Sequence, residues 1–149
     1  DGILFLSLLS GRNPDYLIEH HVNAVPILKK SNLEIISTGY LLIESGSETA
    51  VERVSQTKPL GRNNLPVVCQ TAKAGEYLGS KLIYLEAGSG AKKAVPLEMI
   101  SLIAQNIEIP IIVGGGLVDL HGIQKAYSAG ADLVVIGTAF ENNSHFFDL

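Results

Sequence analysis

Ile109-Pro110-Ile111-Ile112-Val113-Gly114-Gly115-Gly116 runs an unbroken apolar segment straight into three glycines. Asp132-Leu133-Val134-Val135-Ile136-Gly137-Thr138 repeats the arrangement close to the end of the chain. Short continuous apolar runs of this kind read as strands buried on both faces of a parallel sheet. A dinucleotide-binding sheet would carry Gly-x-Gly-x-x-Gly after its first strand, and no strand in this chain is followed by that spacing. The glycines follow the last two strands instead. Phosphate sites in (β/α)8 barrels are built from the loops after strands seven and eight. The expectation is therefore an α/β protein of the TIM-barrel type, with this chain covering about strands four to eight.

Upstream, Leu82-Ile83-Tyr84-Leu85 is a third apolar run, ending on Glu86 and opening into Ala87-Gly88-Ser89-Gly90. Glu86 then stands at the carboxyl end of a strand, where parallel α/β folds place their chemistry. Gly88 and Gly90 let backbone N–H groups approach an anion, and Ser89 adds a hydroxyl. A strand-to-helix turn with an incidental glutamate is the bland alternative for this stretch taken alone. Three glycine-containing loops after successive strands tip the balance. Each helix N-terminus contributes only ~0.3–1 kcal/mol at exposed positions, so several donors must converge to hold an anion without a basic side chain.

Two further strands precede these. Ile3 to Leu9 is closed by Ser10-Gly11-Arg12, and Glu34 to Ile43 carries Gly39, a sign of a bulge or a close approach. Between them Asn13 caps a helix that begins at Pro14, with Leu17, His21, Ala24 and Leu28 on its inward face. After Ser47 a short helix and an exposed loop reach Asn64, and a helix spans Pro66 to Leu78. Pro96 opens a helix with Leu97, Ile100 and Ala104 inward. Asp119 caps another through Leu120, Ile123 and Ala126 to Gly130. Strand and helix alternate throughout, which calls for a parallel sheet with right-handed crossovers.

The chain has 149 residues, 46% of them hydrophobic and 17% charged, the composition of one globular domain. With 11 basic and 15 acidic residues and no basic run, nucleic acid is excluded as the main partner. The single Cys69 forms no internal disulfide, suits a reducing cytoplasm, and is expected as a buried inert thiol. No apolar run reaches the ~20 residues that span a bilayer. The opening Asp1-Gly2-Ile3 enters a strand almost at once and lacks an initiator methionine. Residues 1–149 are thus expected to form a single domain, an incomplete barrel lacking its N-terminal βα units.

Ser10-Gly11-Arg12-Asn13-Pro14, Thr38-Gly39-Tyr40-Leu41, Tyr84-Leu85-Glu86-Ala87-Gly88-Ser89-Gly90, Val113-Gly114-Gly115-Gly116 and Gly137-Thr138-Ala139 together resemble the geranylgeranylglyceryl phosphate synthases. The likeness runs the whole length, corresponds to the C-terminal part of such a chain, and is nearest the branch with bacterial members. It implies a prenyltransferase that joins sn-glycerol 1-phosphate to geranylgeranyl diphosphate in ether-lipid biosynthesis. By motif, Tyr84, Leu85, Glu86, Ala87, Gly88, Ser89, Gly90, Gly115, Gly116, Gly137 and Thr138 would hold glycerol 1-phosphate. Glu86 would be the catalytic residue, facing the glycerol hydroxyls, and Thr38, Gly39 and Tyr40 would line a prenyl groove. The resemblance also implies Mg2+, whose ligands are expected upstream of Asp1, so no metal ligand is assigned in this chain. A homo-oligomer, cytoplasmic, with transient contact to a membrane surface for the lipid product, completes the expectation. The alternatives are another phosphate-binding barrel enzyme, of the sugar-phosphate isomerase type, and a non-catalytic anion-binding fragment.

Overall fold

In the computed structural model, which describes residues 1–143 and Phe146, five strands form one parallel sheet. They are β1 (Gly2–Leu8), β2 (Glu34–Leu42), β3 (Leu82–Glu86), β4 (Ile111–Gly114) and β5 (Leu133–Val135). Their order across the sheet is their order in the chain. The helices are α1 (His20–Leu28), α2 (Ala50–Ser55), α3 (Leu65–Tyr77), α4 (Leu97–Ala104), α5 (Leu120–Ser128) and α6 (Thr138–Asn142). An open doubly wound sheet reverses its strand order at a switch point and carries helices on both faces. Here no reversal occurs. α3 packs on β2 and β3, α5 on β5, and α3 touches α4, so one face is lined by helices as in a barrel wall.

The register explains which residues face which side. Leu41, Ile83, Leu85, Ile111 and Val113 point to the helices and form the core with Val68, Ala72, Met99, Ile100 and Ile103. Their neighbours along each strand point the other way, to the concave side. That side is open enough to leave Leu6 42%, Leu133 52% and Val135 43% exposed.

Several local expectations are met by specific bonds. Asn13 Oδ1 accepts the Asp15 N–H at 3.1 Å, ahead of a π-helical turn (Asp15–Glu19) that runs into α1. Leu17, His21, Ala24 and Leu28 are the half-buried positions of this segment from Leu17 onward, as their spacing requires. Asp119 Oδ1 accepts the Gly122 N–H at 2.6 Å and caps α5. Two expectations are corrected, and the close approach expected at Gly39 is found. The buried face of α4 is Met99, Ile100 and Ile103, while Leu97 is 42% exposed. Cys69 is half-buried in α3. Gly39 is explained by packing on the helix side: a Cβ there would lie 2.8 Å from Leu9 Cδ1 and 2.9 Å from Ile83 Cδ1. Gly75 of α3 meets the same two methyl groups, at 2.6 and 3.1 Å, so two glycines let the helix settle onto the strand.

Candidate active site

Parallel pairing sets Leu42, Glu86, Gly114 and Val135 abreast at the carboxyl end of the sheet. Two residues earlier on each strand, Leu8, Tyr40, Tyr84, Ile112 and Leu133 make a second row. Side chains two apart share a face, so both rows look into the concave side. Glu86 is 9% exposed, and its Oε1 accepts the Gly88 N–H at 2.6 Å. Gly114 lies beside it. A Cβ on Gly114 would sit 2.6 Å from Glu86 Oε2 and 2.7 Å from the Tyr84 hydroxyl, so carboxylate and phenol meet over the missing side chain. The Tyr84 phenol is held well above its ordinary value, first by burial, then by the Glu86 charge and a hydrogen bond to that carboxylate. The Tyr40 ring meets Tyr84 edge-on, with centroids 5.2 Å apart. Its phenol is also pushed up, chiefly by burial and secondly by Glu86.

Over these rows lies a cavity of about 740 Å³, walled by the loops after β2, β3, β4 and β5. Tyr40, Glu86, Gly88, Ser89, Gly90, Gly115, Gly116, Gly137 and Thr138 all line it. Gly115 and Gly116 have φ of +81° and +70°, in the left-handed region that side chains disfavour. Space forbids a side chain as well. A Cβ on Gly115 would lie 2.6 Å from Gly88 N, and one on Gly116 2.7 Å from Ala94 N. The loops after β3 and β4 therefore touch backbone to backbone. Gly137 differs, because a Cβ there would meet nothing within 4 Å. The Ser89 and Thr138 hydroxyls lie 3.4 Å apart, linking the loops after β3 and β5.

Not every residue of the motifs reaches the cavity. Leu85 and Ala87 are fully buried in the core, so at those positions only backbone is available to a ligand. Thr38 is 1% exposed on the concave side, one row below Tyr40, with its hydroxyl on the Ile36 carbonyl at 2.9 Å. The absent side chain of Gly39 points to the helices. The structure adds a wall that the sequence reading left as a polar stretch: Thr49, Ala50 and Val51. Thr49 Oγ1 accepts the Glu52 N–H at 3.2 Å, and Glu52 Oε2 accepts the Thr49 N–H at 2.8 Å. This is a capping box, and its Thr-x-x-Glu signature was there to be read.

A second, apolar cavity of about 350 Å³ is lined by Leu6, Leu8, Tyr16, Tyr40, Ala50, Val51, Val54 and Ser55. It shares Tyr40, Ala50 and Val51 with the first. Among the described residues, no group of three or more His, Cys, Asp or Glu side chains is placed to hold a metal ion. No helix among them is long and apolar enough to cross a membrane.

Comparison with known proteins gives one consistent answer. The profile of the PcrB family matches residues 1–148. The geranylgeranylglyceryl phosphate synthase of Flavobacterium johnsoniae is 80% identical over 148 residues, 99% of this chain and 61% of that protein. That of Zunongwangia profunda is 56% identical over 142 residues, 95% of this chain and 61% of its own length. Among solved structures, (S)-3-O-geranylgeranylglyceryl phosphate synthase from Thermoplasma acidophilum, in complex with sn-glycerol-1-phosphate, superposes with a TM-score of 0.91 at 32% identity. It is covered to 59% of its length by 99% of this chain. The chain thus spans about three fifths of the relatives it matches.

Proposed function

The chain belongs to the PcrB family, and from that premise we propose that it is part of a geranylgeranylglyceryl phosphate synthase. The whole protein joins sn-glycerol 1-phosphate to geranylgeranyl diphosphate. The five strands correspond to strands four to eight of a (β/α)8 barrel, residues 1–149 forming one incomplete domain. The observation that carries the reading is the convergence of Glu86 with the loops of Gly88–Gly90, Gly115-Gly116 and Gly137-Thr138 around one cavity.

In this reading the glycine loops hold the phosphate through backbone N–H groups, which bind an anion without a cationic side chain. A carboxylate suits a different task. Glu86 would repel phosphate, but it accepts hydrogen bonds from glycerol hydroxyls beside it. Its burial and its bond from Gly88 hold it ready. The glycerol oxygen attacks C1 of the prenyl diphosphate, the new C–O bond forms as the bond to diphosphate breaks, and the proton of the attacking hydroxyl passes to Glu86. The apolar cavity beside Tyr40 is placed to take the prenyl chain, with Tyr40 and Thr38 on the same face. Gly39 adds only backbone to that groove. Magnesium, when bound, neutralises the charge that builds on the leaving diphosphate. The described residues of this chain present no cluster of carboxylate, imidazole or thiol groups for such an ion, and its ligands belong to the rest of the protein. Exposed Val22, Val25 and Ile27 on α1 support a homo-oligomer with transient membrane contact to deliver the product, and a cytoplasmic location is proposed with it.

The test is transfer by the full-length protein of a labelled geranylgeranyl group to sn-glycerol 1-phosphate, with sn-glycerol 3-phosphate as comparison. Formation of the ether-linked phosphate supports the reading. Binding of neither glycerol phosphate would leave the phosphate-binding loops without their ligand and refute it.

A further inference from the structure

Gly114 precedes the cavity-lining Gly115 and Gly116 and follows a rule of its own. It ends β4, and its φ lies outside the left-handed region, so its backbone accepts any residue. It also differs from Gly115 and Gly116 in what crowds it. A Cβ on Gly116 meets the backbone of the loop after β3, and one on Gly115 meets that backbone at Gly88 as well as Glu86 Oε1, whereas the three atoms nearest a Gly114 Cβ all belong to side chains: Glu86 Oε2 at 2.6 Å, the Tyr84 hydroxyl at 2.7 Å and Tyr84 Cε2 at 3.0 Å. The only reason for glycine that these surroundings supply is the pair itself.

A carboxylate tied at one oxygen can still swing about that tie. Glu86 Oε1 is tied to the Gly88 N–H at 2.6 Å. Tyr84 stands two residues earlier on the same strand, and its hydroxyl and Glu86 Oε2 both lie within 2.7 Å of the point that a Gly114 Cβ would occupy. A second donor at a second point fixes the plane of the group as well as its position. Resting on the function proposed above, we propose that Gly114 is a positioning residue: the bare backbone there leaves the space in which Tyr84 and Glu86 meet, and Tyr84 aims the carboxylate at the attacking hydroxyl.

Gly114→Ala tests this without straining the backbone. The added methyl would stand about 1 Å closer to both oxygens than an ordinary contact, so one or both must move away. A misplacement of about 1 Å costs on the order of 10²-fold in rate. In the full-length protein, Gly114→Ala is expected to lower turnover by about that factor, with the KM for sn-glycerol 1-phosphate changing far less. A second readout needs no substrate. The groups facing the Tyr84 phenol are Glu86 and Tyr40. A crystal structure of the full-length Gly114→Ala protein should show the Tyr84 hydroxyl and Glu86 Oε2 moved apart, while Glu86 Oε1 keeps its bond from the Gly88 N–H. Tyr84→Phe should itself slow turnover, and the double variant should be no slower than the worse single variant, because removing the hydroxyl makes room for the methyl. Fully additive losses, or a Tyr84–Glu86 pair left in place, would overturn the proposal. Absence of prenyl transfer in the unaltered protein would overturn the proposed function instead, and the crystal structure would still decide the role of Gly114.

Discussion

Glu86→Gln separates the two tasks that a residue in this position could have. The amide keeps the size of the carboxylate, so the cavity is unchanged in shape. Its oxygen must face the Gly88 N–H, now 2.6 Å from Oε1, since two donors cannot share that contact. The NH2 then faces the Tyr84 hydroxyl, which turns to accept. A bond to a charged group, ~1.5–3 kcal/mol, becomes a neutral one of ~0.5–1.5, a loss of about 1 kcal/mol. Against a typical domain stability of ~5–15 kcal/mol the variant stays folded. Chemistry suffers far more, because the attacking hydroxyl no longer has a base. That costs ~10²–10⁴-fold, or about 3–5 kcal/mol of barrier. The assay is turnover of the magnesium-loaded full-length protein with geranylgeranyl diphosphate, set beside calorimetric affinity for sn-glycerol 1-phosphate. Affinity should fall only a few-fold, since the phosphate is held elsewhere. Near-normal turnover would refute the argument. So would a loss of affinity as large as the loss in kcat/KM, which would make Glu86 a ground-state ligand.

Gly137→Val should weaken glycerol phosphate binding by at least tenfold with little change in melting temperature, because its side chain enters open cavity. Gly115→Val, by contrast, should lower the melting temperature, its Cβ colliding with the Gly88 backbone at 2.6 Å. The raised phenols of Tyr40 and Tyr84 predict an alkaline loss of stability. Their folded form keeps its protons longer than the unfolded chain, so this stabilisation is whole below pH ~10 and declines above it, by up to about 1.4 kcal/mol per pH unit for each phenol. Denaturant melts between pH 9 and 11 measure it, and Tyr84→Phe should flatten the decline. Thr49→Ala removes the cap of α2 and costs about 1 kcal/mol. Thermal unfolding reads that loss; an unchanged midpoint would mean that the capping box adds nothing.

Much of this was legible because strand and turn signals are local. The apolar runs ending at Leu85, Val113 and Ile136 placed the start of each loop to within one residue of the ends of β3, β4 and β5, and strict alternation puts Tyr84 and Glu86 on one face. What failed was legible only in three dimensions, or in a pattern with two solutions. Leu97, Met99, Ile100, Leu102, Ile103 and Ala104 are apolar almost without break, so a helical period fits more than one face, and packing on the core chose Met99 and Ile103. Gly39 could signal a ligand or a packing contact, and only the arrival of Leu9 and Gly75 decides between them. Leu85 and Ala87 sit inside a binding motif yet face the core, a distinction that period-two alternation could have made.

Leu9, finally, acts as a wedge between strand and helix. Its methyl end fills the notch left by Gly39 on one side and Gly75 on the other. A methyl added to either glycine has no slack to use, so its displacement passes to Leu9. The next residue, Ser10, accepts the Leu42 N–H at 2.9 Å, and Leu42 stands abreast of Glu86. A change at Gly75, on the strand-facing side of α3 and remote from the cavity, therefore has a mechanical route to the carboxylate. The three positions should accept mutation as a set, a bulkier residue at one answered by a shorter side chain at Leu9, and resist it singly.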